Sequence, residues 1–343
     1  MGLSDVAGVF SRYFIVGFFL PVFFVLVALA QVLDSAILPD VYRSASSGAR
    51  IAILGGASLA GGLLLLGLHY NVLRLYEGYP LRAVRSWPLV KVIHVVPVWL
   101  QTLRYERAVK KCDFEHLDDE RPFEAAWQLG MRFPYDRADL TSTELLLPTK
   151  FGNAVRAFER RSFVKWHLNS IGAWPHVENL LSDQEAQVLS DARGDVAFFI
   201  NGSLLSAAAA VVLAVDLVQY KPSSSLWLLL IPLALSFVAY RAAIGAAQRW
   251  GSVVCACIDL HRHDVYDKLG LRTPTDFHDE RVIAWNLNRT LLIGEHLPDE
   301  LTHAQSLTSR LQRLKQALSS ADQPGPGTSS ADSGSEPERP SGD

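Results

Sequence analysis

Two cysteines and two histidines lie close together in the C-terminal third of the chain, at Cys255, Cys257, His261 and His263. These residue types bind zinc, which needs three or four converging ligands. The surrounding sequence predicts a helix, in which residues two apart point about 200° away from each other. Cys255 and Cys257 would then face different ways. The spacing therefore favours helix packing with a polar, histidine-rich edge over a zinc site.

An acidic stretch, DFEHLDDE at residues 113–120, is a second candidate for metal binding. It lacks the glycine and the ligand spacing of a calcium-binding loop, and we expect a solvated turn. No nucleophile, general base or metal cluster with the spacing of a catalytic site stands out in the sequence. We therefore expect no catalytic residues, no metal and no cofactor.

The segment LLPTKFGNAVRAFE carries polar residues at helical spacing. Thr149 can cap a helix, and Arg156 and Glu159, three residues apart, can pair on one face. Asn153 and Arg156 lie near the helix start, where an anionic group would be favoured. The alternative, which we favour, is a buried polar clamp of Thr149, Asn153, Arg156 and Glu159 that holds this helix against its neighbours.

Four apolar runs are long enough to cross a bilayer as helices, at about residues 13–33, 51–70, 196–218 and 225–245. The chain of 343 residues is 49% hydrophobic but still 20% charged, which suits a membrane protein with a large water-facing part. The sequence predicts an all-α membrane protein with two transmembrane hairpins, in residues 1–70 and 196–245. A helical cytoplasmic domain, residues 71–195, is inserted between them.

Lys and Arg residues indicate the orientation, because cytoplasmic loops carry an excess of them. The two predicted outer loops hold only Arg43, Arg50 and Lys221, whereas residues 71–195 hold 17 Lys and Arg residues. We therefore expect a multi-pass protein of the cell membrane with both termini in the cytosol. An alternative for the first run is a cleaved signal peptide, with Arg12 before the apolar core and a small-residue site at Ala28-Leu-Ala30.

Small and charged residues within the runs raise questions of packing and conduction. Gly56/Ala60 and Ser58/Gly62 are pairs that let helices approach closely, either within one subunit, which we favour, or between subunits of a homo-oligomer. Asp216 and Arg241 lie near opposite ends of the third and fourth runs. Either they belong to an ion path or, as we favour, they extend to the membrane surface.

The cytosolic regions also read as helical. Residues 87–100 are apolar but contain two prolines, which predicts an interfacial or re-entrant stretch followed by a helix over 101–111. Ser182 and Glu185 form a capping box that starts a helix running through the third apolar run to about Val218. The fourth run continues to Gly270. The C-terminal extension, residues 246–318, adds helices at 277–293 and 299–318, and a disordered tail follows at 319–343.

The segment around Thr149 resembles a pattern of uncharacterised bacterial, actinobacterial-type, polytopic membrane proteins, PT-x-x-GN-x-x-RA-x-E with a downstream WP. LYEGY (75–79) and DLHR (259–262) are similar to that family as well, whereas Lys165-Trp-His167 departs from an expected Arg-Tyr-Gly-like sequence. The resemblance implies the fold and the membrane location but no activity. The matching residues are Pro148, Thr149, Lys150, Gly152, Asn153, Arg156, Ala157, Glu159, Trp174 and Pro175.

These features favour a non-enzymatic integral membrane protein that acts as a scaffold, an assembly factor or a signal-coupled component. Its partners would be the lipid bilayer and an unknown protein bound through the cytoplasmic domain. A net charge of -3 gives no attraction to nucleic acid. The alternative is an oligomeric ion channel or pore gated by the cytoplasmic domain. A membrane enzyme acting on lipids has the least support, because only scattered histidines are available to it.

Overall fold

The computed structural model describes residues 11–33, 39–80, 88–112, 114, 120–136, 139–220, 226–302 and 315. Within these ranges the chain is helical and has no strand, only an isolated bridge between Leu271 and Thr302. The helices are α1 (Arg12–Val32), α2 (Asp40–Ser44), α3 (Ser47–Glu77), α4 (Pro88–Val109), α5 (Glu120–Arg132), α6 (Lys150–Trp166), α7 (Ser170–Glu178), α8 (Asp183–Tyr220), α9 (Leu230–Lys268) and α10 (Phe277–Ile293).

Four helical stretches are long and apolar enough to cross a membrane: α1, α3, Asp183–Gln219 within α8, and Trp227–Lys268, which contains α9. They cover the four apolar runs of the sequence to within two residues at either end, so the prediction of four such helices is confirmed. The last two extend well beyond their apolar parts, which places long polar continuations next to the remaining helices.

The start of α8 is the predicted capping box. The Ser182 hydroxyl accepts a hydrogen bond from the Glu185 backbone N–H at 3.4 Å, and the Glu185 carboxylate accepts one from the Ser182 N–H at 2.8 Å. From there α8 continues without a break into the third apolar run, as predicted. Helix α9 is similarly continuous and is followed by Gly270, whose φ of 75° ends it.

Helices α8 and α9 pack side by side, with residues late in α9 meeting residues early in α8. Ser203 and Ser236 bind each other's carbonyl oxygens, at 3.0 and 2.9 Å. Further along, three buried alanines of α9 belong to the same apolar cluster as Val196 and Ile200 of α8. Small side chains let two helix backbones approach closely, which is the main source of helix association in lipid.

Pro21 interrupts the backbone hydrogen bonds of α1, and a neighbouring helix supplies the missing donor. Pro21 has no N–H to donate to the carbonyl of Gly17, and a π-helical turn covers Ile15–Phe19. The buried Asn201 of α8 donates its Nδ2 to this carbonyl at 2.8 Å. Phe14 and Phe18 of α1 are buried in the same region. These contacts attach α1 to α8 through specific side chains.

The two small-residue pairs of α3 have different surroundings. Ser58 and Gly62 are buried, and a Cβ added at Gly62 would lie 3.3 Å from the backbone of Phe19 in α1. Gly56 and Ala60 are exposed, and nothing lies within 4 Å of a Cβ added at Gly56. The Ser58/Gly62 pair therefore packs within the chain, as favoured from the sequence. The Gly56/Ala60 pair forms an exposed face of α3.

The polar elements follow the sequence predictions in part. Helix α10 has the predicted bounds, with Asp276 as its N-cap and Gly294 in the left-handed conformation after it. In contrast, α4 is one helix that passes through Pro97, where an interfacial stretch and a separate helix were predicted. A proline removes one backbone hydrogen bond, and the remaining turns maintain the helix.

Some predictions fall largely outside the described residues. Asp299–Leu301 forms a 3-10 turn where the 299–318 helix was predicted to begin, and 303–314 are outside the description. The same holds for most of the acidic stretch 113–120 and for the predicted tail, 319–343.

Helix α6 packs against both α3 and α9. Its apolar side, including Phe151 and Val155, packs with Val72 of α3 and with the alanines of α9. Further along, the Phe158 ring occupies the space above Gly251, where a Cβ would lie 2.3 Å from the ring. The helix that carries the predicted polar clamp therefore contacts two of the long apolar helices.

Candidate functional site

The end of α3 meets the start of α6 at a junction with no spare space. Gly78 ends α3 with φ of 88°, and a Cβ there would lie 2.5 Å from Cγ of Pro148. A Cβ on Gly152 would lie 2.4 Å from the carbonyl oxygen of Glu77. Only glycine fits both positions. The LYEGY and PT-x-x-GN segments therefore meet in space.

Two of the predicted clamp residues hold this junction through their side chains. Thr149 caps α6 by accepting a hydrogen bond from the Gly152 N–H at 2.9 Å, and its hydroxyl donates to the Tyr76 carbonyl at 2.7 Å. Asn153 is fully buried and makes two hydrogen bonds to the backbone of Leu147, at 2.7 and 2.9 Å. Because both the oxygen and the nitrogen of its side-chain amide already bind Leu147, the geometry favours the clamp interpretation of Asn153 over anion binding.

The other two clamp residues, Arg156 and Glu159, are near each other but form no ion pair in the described part of the chain. The Arg156 Nη1 is buried without a hydrogen-bond partner there. Burial raises the pKa of the Glu159 carboxyl, and the charge of Arg156 opposes that rise. Arg156 and Glu159 thus attract each other at longer range, and the direct pair predicted from the sequence is not formed.

Lys165-Trp-His167, the segment that departs from the pattern of the similar family, contacts the DLHR segment (259–262) of α9. Trp166 donates its indole N–H to Asp259 at 2.5 Å, and the guanidinium of Arg262 lies 3.8 Å from the centre of its ring. Lys165 pairs with Asp259 at 2.7 Å. His167 has a φ of 58°, which explains physically why a glycine is expected there. Lys165 and Trp166 therefore secure the end of α6 to α9.

Asp216 and Arg241 occupy different environments. Asp216 is fully buried in α8, whereas Arg241 is exposed on α9. From the contact between Ser203 and Ser236, the two charges lie about 27 Å apart along the helices, at roughly 1.5 Å per residue. The two are therefore placed at separate sites, and Asp216 points into the protein instead of extending to the membrane surface as favoured from the sequence.

The cysteine and histidine residues do not converge. No group of three or more metal-binding side chains occurs among the described residues. His261 binds Glu185 at 3.0 Å, and His263 binds Glu280 at 3.1 Å. Cys255 and Cys257 are buried free thiols. The histidines thus connect α9 to the start of α8 and to α10.

A cavity of about 730 Å³ opens where α4, α5, α6 and α9 come together. Six of its lining residues are Lys or Arg, and none of the described residues that line it is acidic. None of the six pairs with a carboxylate in the portion that the structure describes. We call this site the basic cavity. Its cationic residues are Arg104, Arg107, Lys111, Arg132, Lys150 and Arg241.

These cations are close enough to affect one another. Burial lowers the pKa of Lys150, the first residue of α6, and the charges of Arg104, Arg241 and Arg132 lower it further. Gln101 also lines the cavity; it is 4% exposed, and its Oε1 has no hydrogen-bond partner among the described groups. Among the described residues, the cavity therefore combines six cations that have no carboxylate partner with a buried amide oxygen that accepts no hydrogen bond.

Sequence reasoning placed only Arg241 at a candidate site and missed the rest of this cavity. A signal was available in α4 and the turn after it, because Gln101, Arg104 and Lys111 recur at helical spacing on one face. Arg132, Lys150 and Arg241 come from α5, α6 and α9, separate segments of the sequence, so their convergence with α4 depends on the packing of these helices.

Comparison with protein-family models, curated proteins and solved structures finds no match to this chain.

Proposed function

We propose that this chain is a non-enzymatic integral membrane protein that acts as a scaffold, an assembly factor or a signal-coupled component. It crosses the cell membrane as two hairpins, with both termini and the helical domain at 71–195 in the cytosol. The distribution of Lys and Arg along the sequence supports this orientation. The contacts of α1 with Asn201 support a first helix that is retained and not cleaved as a signal peptide.

The observation that carries the proposal is the attachment of α6 to the long apolar helices. Gly152 lies against the end of α3, and Phe158 lies against Gly251 of α9. A domain held this closely moves with the membrane helices, because packed interiors transmit displacement instead of absorbing it. Such a connection suits a protein that presents or orients a cytosolic partner.

The test is affinity purification of the full-length protein, extracted in mild detergent from cells that express it in their own membrane. We expect a partner at fixed stoichiometry with the wild type and with Gly202→Ala, a glycine with open space around it. Recovery should fall with Gly152→Ala, which disturbs the junction. Turnover of a substrate by the purified protein, or the lack of any stoichiometric partner, would contradict the proposal.

A second candidate, an oligomeric channel or pore gated by the cytosolic domain, is favoured by the exposed Gly56 and Ala60 face of α3. Mass photometry in nanodiscs tests it. A ring of four or more subunits with ion flux, dispersed by Gly56→Leu but not by Gly202→Leu, is the expected result. A monomer would end this candidate.

A further inference from the structure

The basic cavity has the size and the position of a ligand site. Its volume of about 730 Å³ lies within the range of small-molecule pockets, roughly 300–1,000 Å³. One wall is formed by Arg241, Ile244 and Gly245 of α9, at the predicted cytoplasmic end of the fourth apolar run. A ligand could therefore enter from the cytosol or from the adjacent lipid headgroups.

The charge of the cavity requires an explanation, because like charges that share a site repel one another. Some surface arginines elsewhere in the described chain do have carboxylate partners: Arg249 pairs with Asp195, and Arg289 pairs with Glu295. In the cavity, no described carboxylate supplies that compensation. Mutual repulsion among the six cations weakens the folded protein, and an anion bound in the cavity would relieve that repulsion.

The donors present indicate which anion. An arginine guanidinium can donate two parallel hydrogen bonds to two oxygens of a phosphate, and a lysine ammonium adds a point charge. The unpartnered atom of Gln101 is Oε1, a hydrogen-bond acceptor, so it adds no donor for an anion. The amides of Gln128 and Gln248 are engaged with Glu124 and with the Met131 carbonyl. The start of α6 adds the partial positive charge of a helix N-terminus on the same side.

We propose that the basic cavity binds a phosphate-bearing anion, held mainly by Arg104, Lys150 and Arg241. The shared chemistry is a phosphoryl group with more than one negative charge, carried either by the headgroup of an anionic phospholipid or by a free cytosolic phosphate compound. This site goes beyond the scaffold function, because it remains whether or not a protein partner binds the domain.

The experiment uses the full-length protein in nanodiscs. Binding of inorganic pyrophosphate is measured by calorimetry in discs of zwitterionic lipid, and retention of anionic phospholipid is measured by native mass spectrometry. Pyrophosphate binding in zwitterionic discs identifies a free phosphate ligand, and retention of anionic lipid alone identifies a headgroup. Binding of neither overturns the proposal.

The variant that tests the site combines Arg104→Gln, Lys150→Gln and Arg241→Gln. Its matched control, Arg12→Gln with Arg249→Gln and Arg289→Gln, removes the same charge from arginines that are paired outside the cavity. We expect at least a tenfold loss of affinity in the cavity variant and little change in the control. An equal loss of affinity in the cavity variant and the control would show that net charge alone determines binding, and it would overturn the proposal.

Thermal stability gives a second readout that does not depend on ligand choice. Removing mutually repelling cations should raise the melting temperature of the ligand-free protein, while the stabilisation that pyrophosphate or anionic lipid provides is lost. A cavity variant that is less stable without ligand, although folded, would show that these cations have partners within the chain. That outcome would also contradict the proposal. Neither experiment depends on partner recovery, so the site and the scaffold function can fail separately.

Discussion

At the scale of single residues, Asn153 shows how a polar side chain can be structural. It is fully buried, and its amide satisfies both the N–H and the carbonyl of Leu147, next to the turn that precedes α6. A buried amide with both sides engaged fixes the conformation of a loop, because each unmade bond would leave a desolvated polar group.

We predict that Asn153→Ala lowers the free energy of unfolding by about 2–4 kcal/mol, since two buried backbone groups lose their partners. The matched control is Asn179→Ala, an exposed asparagine that donates one bond to the Pro175 carbonyl, with an expected effect below about 1 kcal/mol. The measurement is unfolding of the detergent-solubilised protein. Equal effects at the two positions would refute the clamp interpretation.

Lys150 provides a pH test of the anion site. Burial and then its cationic neighbours lower the pKa of Lys150, and a bound anion would raise it again. Phosphate affinity should therefore be highest at pH values below the pKa that Lys150 has in the ligand-free protein. It should fall as the pH rises through that pKa, because Lys150 must then take up a proton for the anion to bind. Lys150→Arg should remove this fall, since arginine stays charged. Calorimetry over an alkaline pH series measures it, and an unchanged profile in Lys150→Arg would contradict the role of Lys150.

At the scale of elements, close approach between helices depends on a few positions without a side chain. Gly152→Ala should cost about 3 kcal/mol or more, because its Cβ would meet the Glu77 backbone, which has no room to move. Gly202→Ala, with open space around it, should be neutral or slightly stabilising. Thermal unfolding distinguishes them, and a tolerated Gly152→Ala would show that the junction is looser than described.

The pairing of a proline with a distant asparagine gives a test between α1 and α8. Asn201→Leu should destabilise the wild type, because the Gly17 carbonyl next to Pro21 loses its donor. In a Pro21→Ala background the restored backbone N–H should reduce that cost. A double-mutant cycle in thermal unfolding measures the coupling, expected at about 0.5–2 kcal/mol. Additive effects would mean that Asn201 does not serve this carbonyl.

At the scale of the whole molecule, the orientation of the four helices decides where the basic cavity faces. The excess of Lys and Arg in residues 71–195 predicts that α4, α5 and α6 lie in the cytosol. An anion site there would be open to cytosolic phosphates and to the inner leaflet. The opposite orientation would remove both sources.

Reporter fusions test this orientation directly. We expect fluorescence from a green fluorescent protein joined after Asp343 and no activity from alkaline phosphatase at that position. Alkaline phosphatase inserted after Gln219, in a predicted outer loop, should be active. Reversed signals would invert the topology and exclude cytosolic ligands and partners for the central domain.

Much of the fold could be predicted from local pattern. The four long apolar helices follow from run length, and the starts of α6, α8 and α10 follow from Thr149, Ser182 and Asp276 as caps. The path of α4 through Pro97 was not predictable, because a single proline can be tolerated when the rest of the helix is maintained.

The sequence alone determined the four long apolar helices and the capped starts of others, since length, periodicity and caps act between residues close in the chain. Only the tertiary structure decided what these helices bring together. Three contacts join residues that are far apart in sequence: Gly152 with Glu77, Asn201 with Gly17, and Arg104 with Lys150 and Arg241 around the basic cavity. Their contact depends on how packed surfaces fit, and no local pattern carries that information.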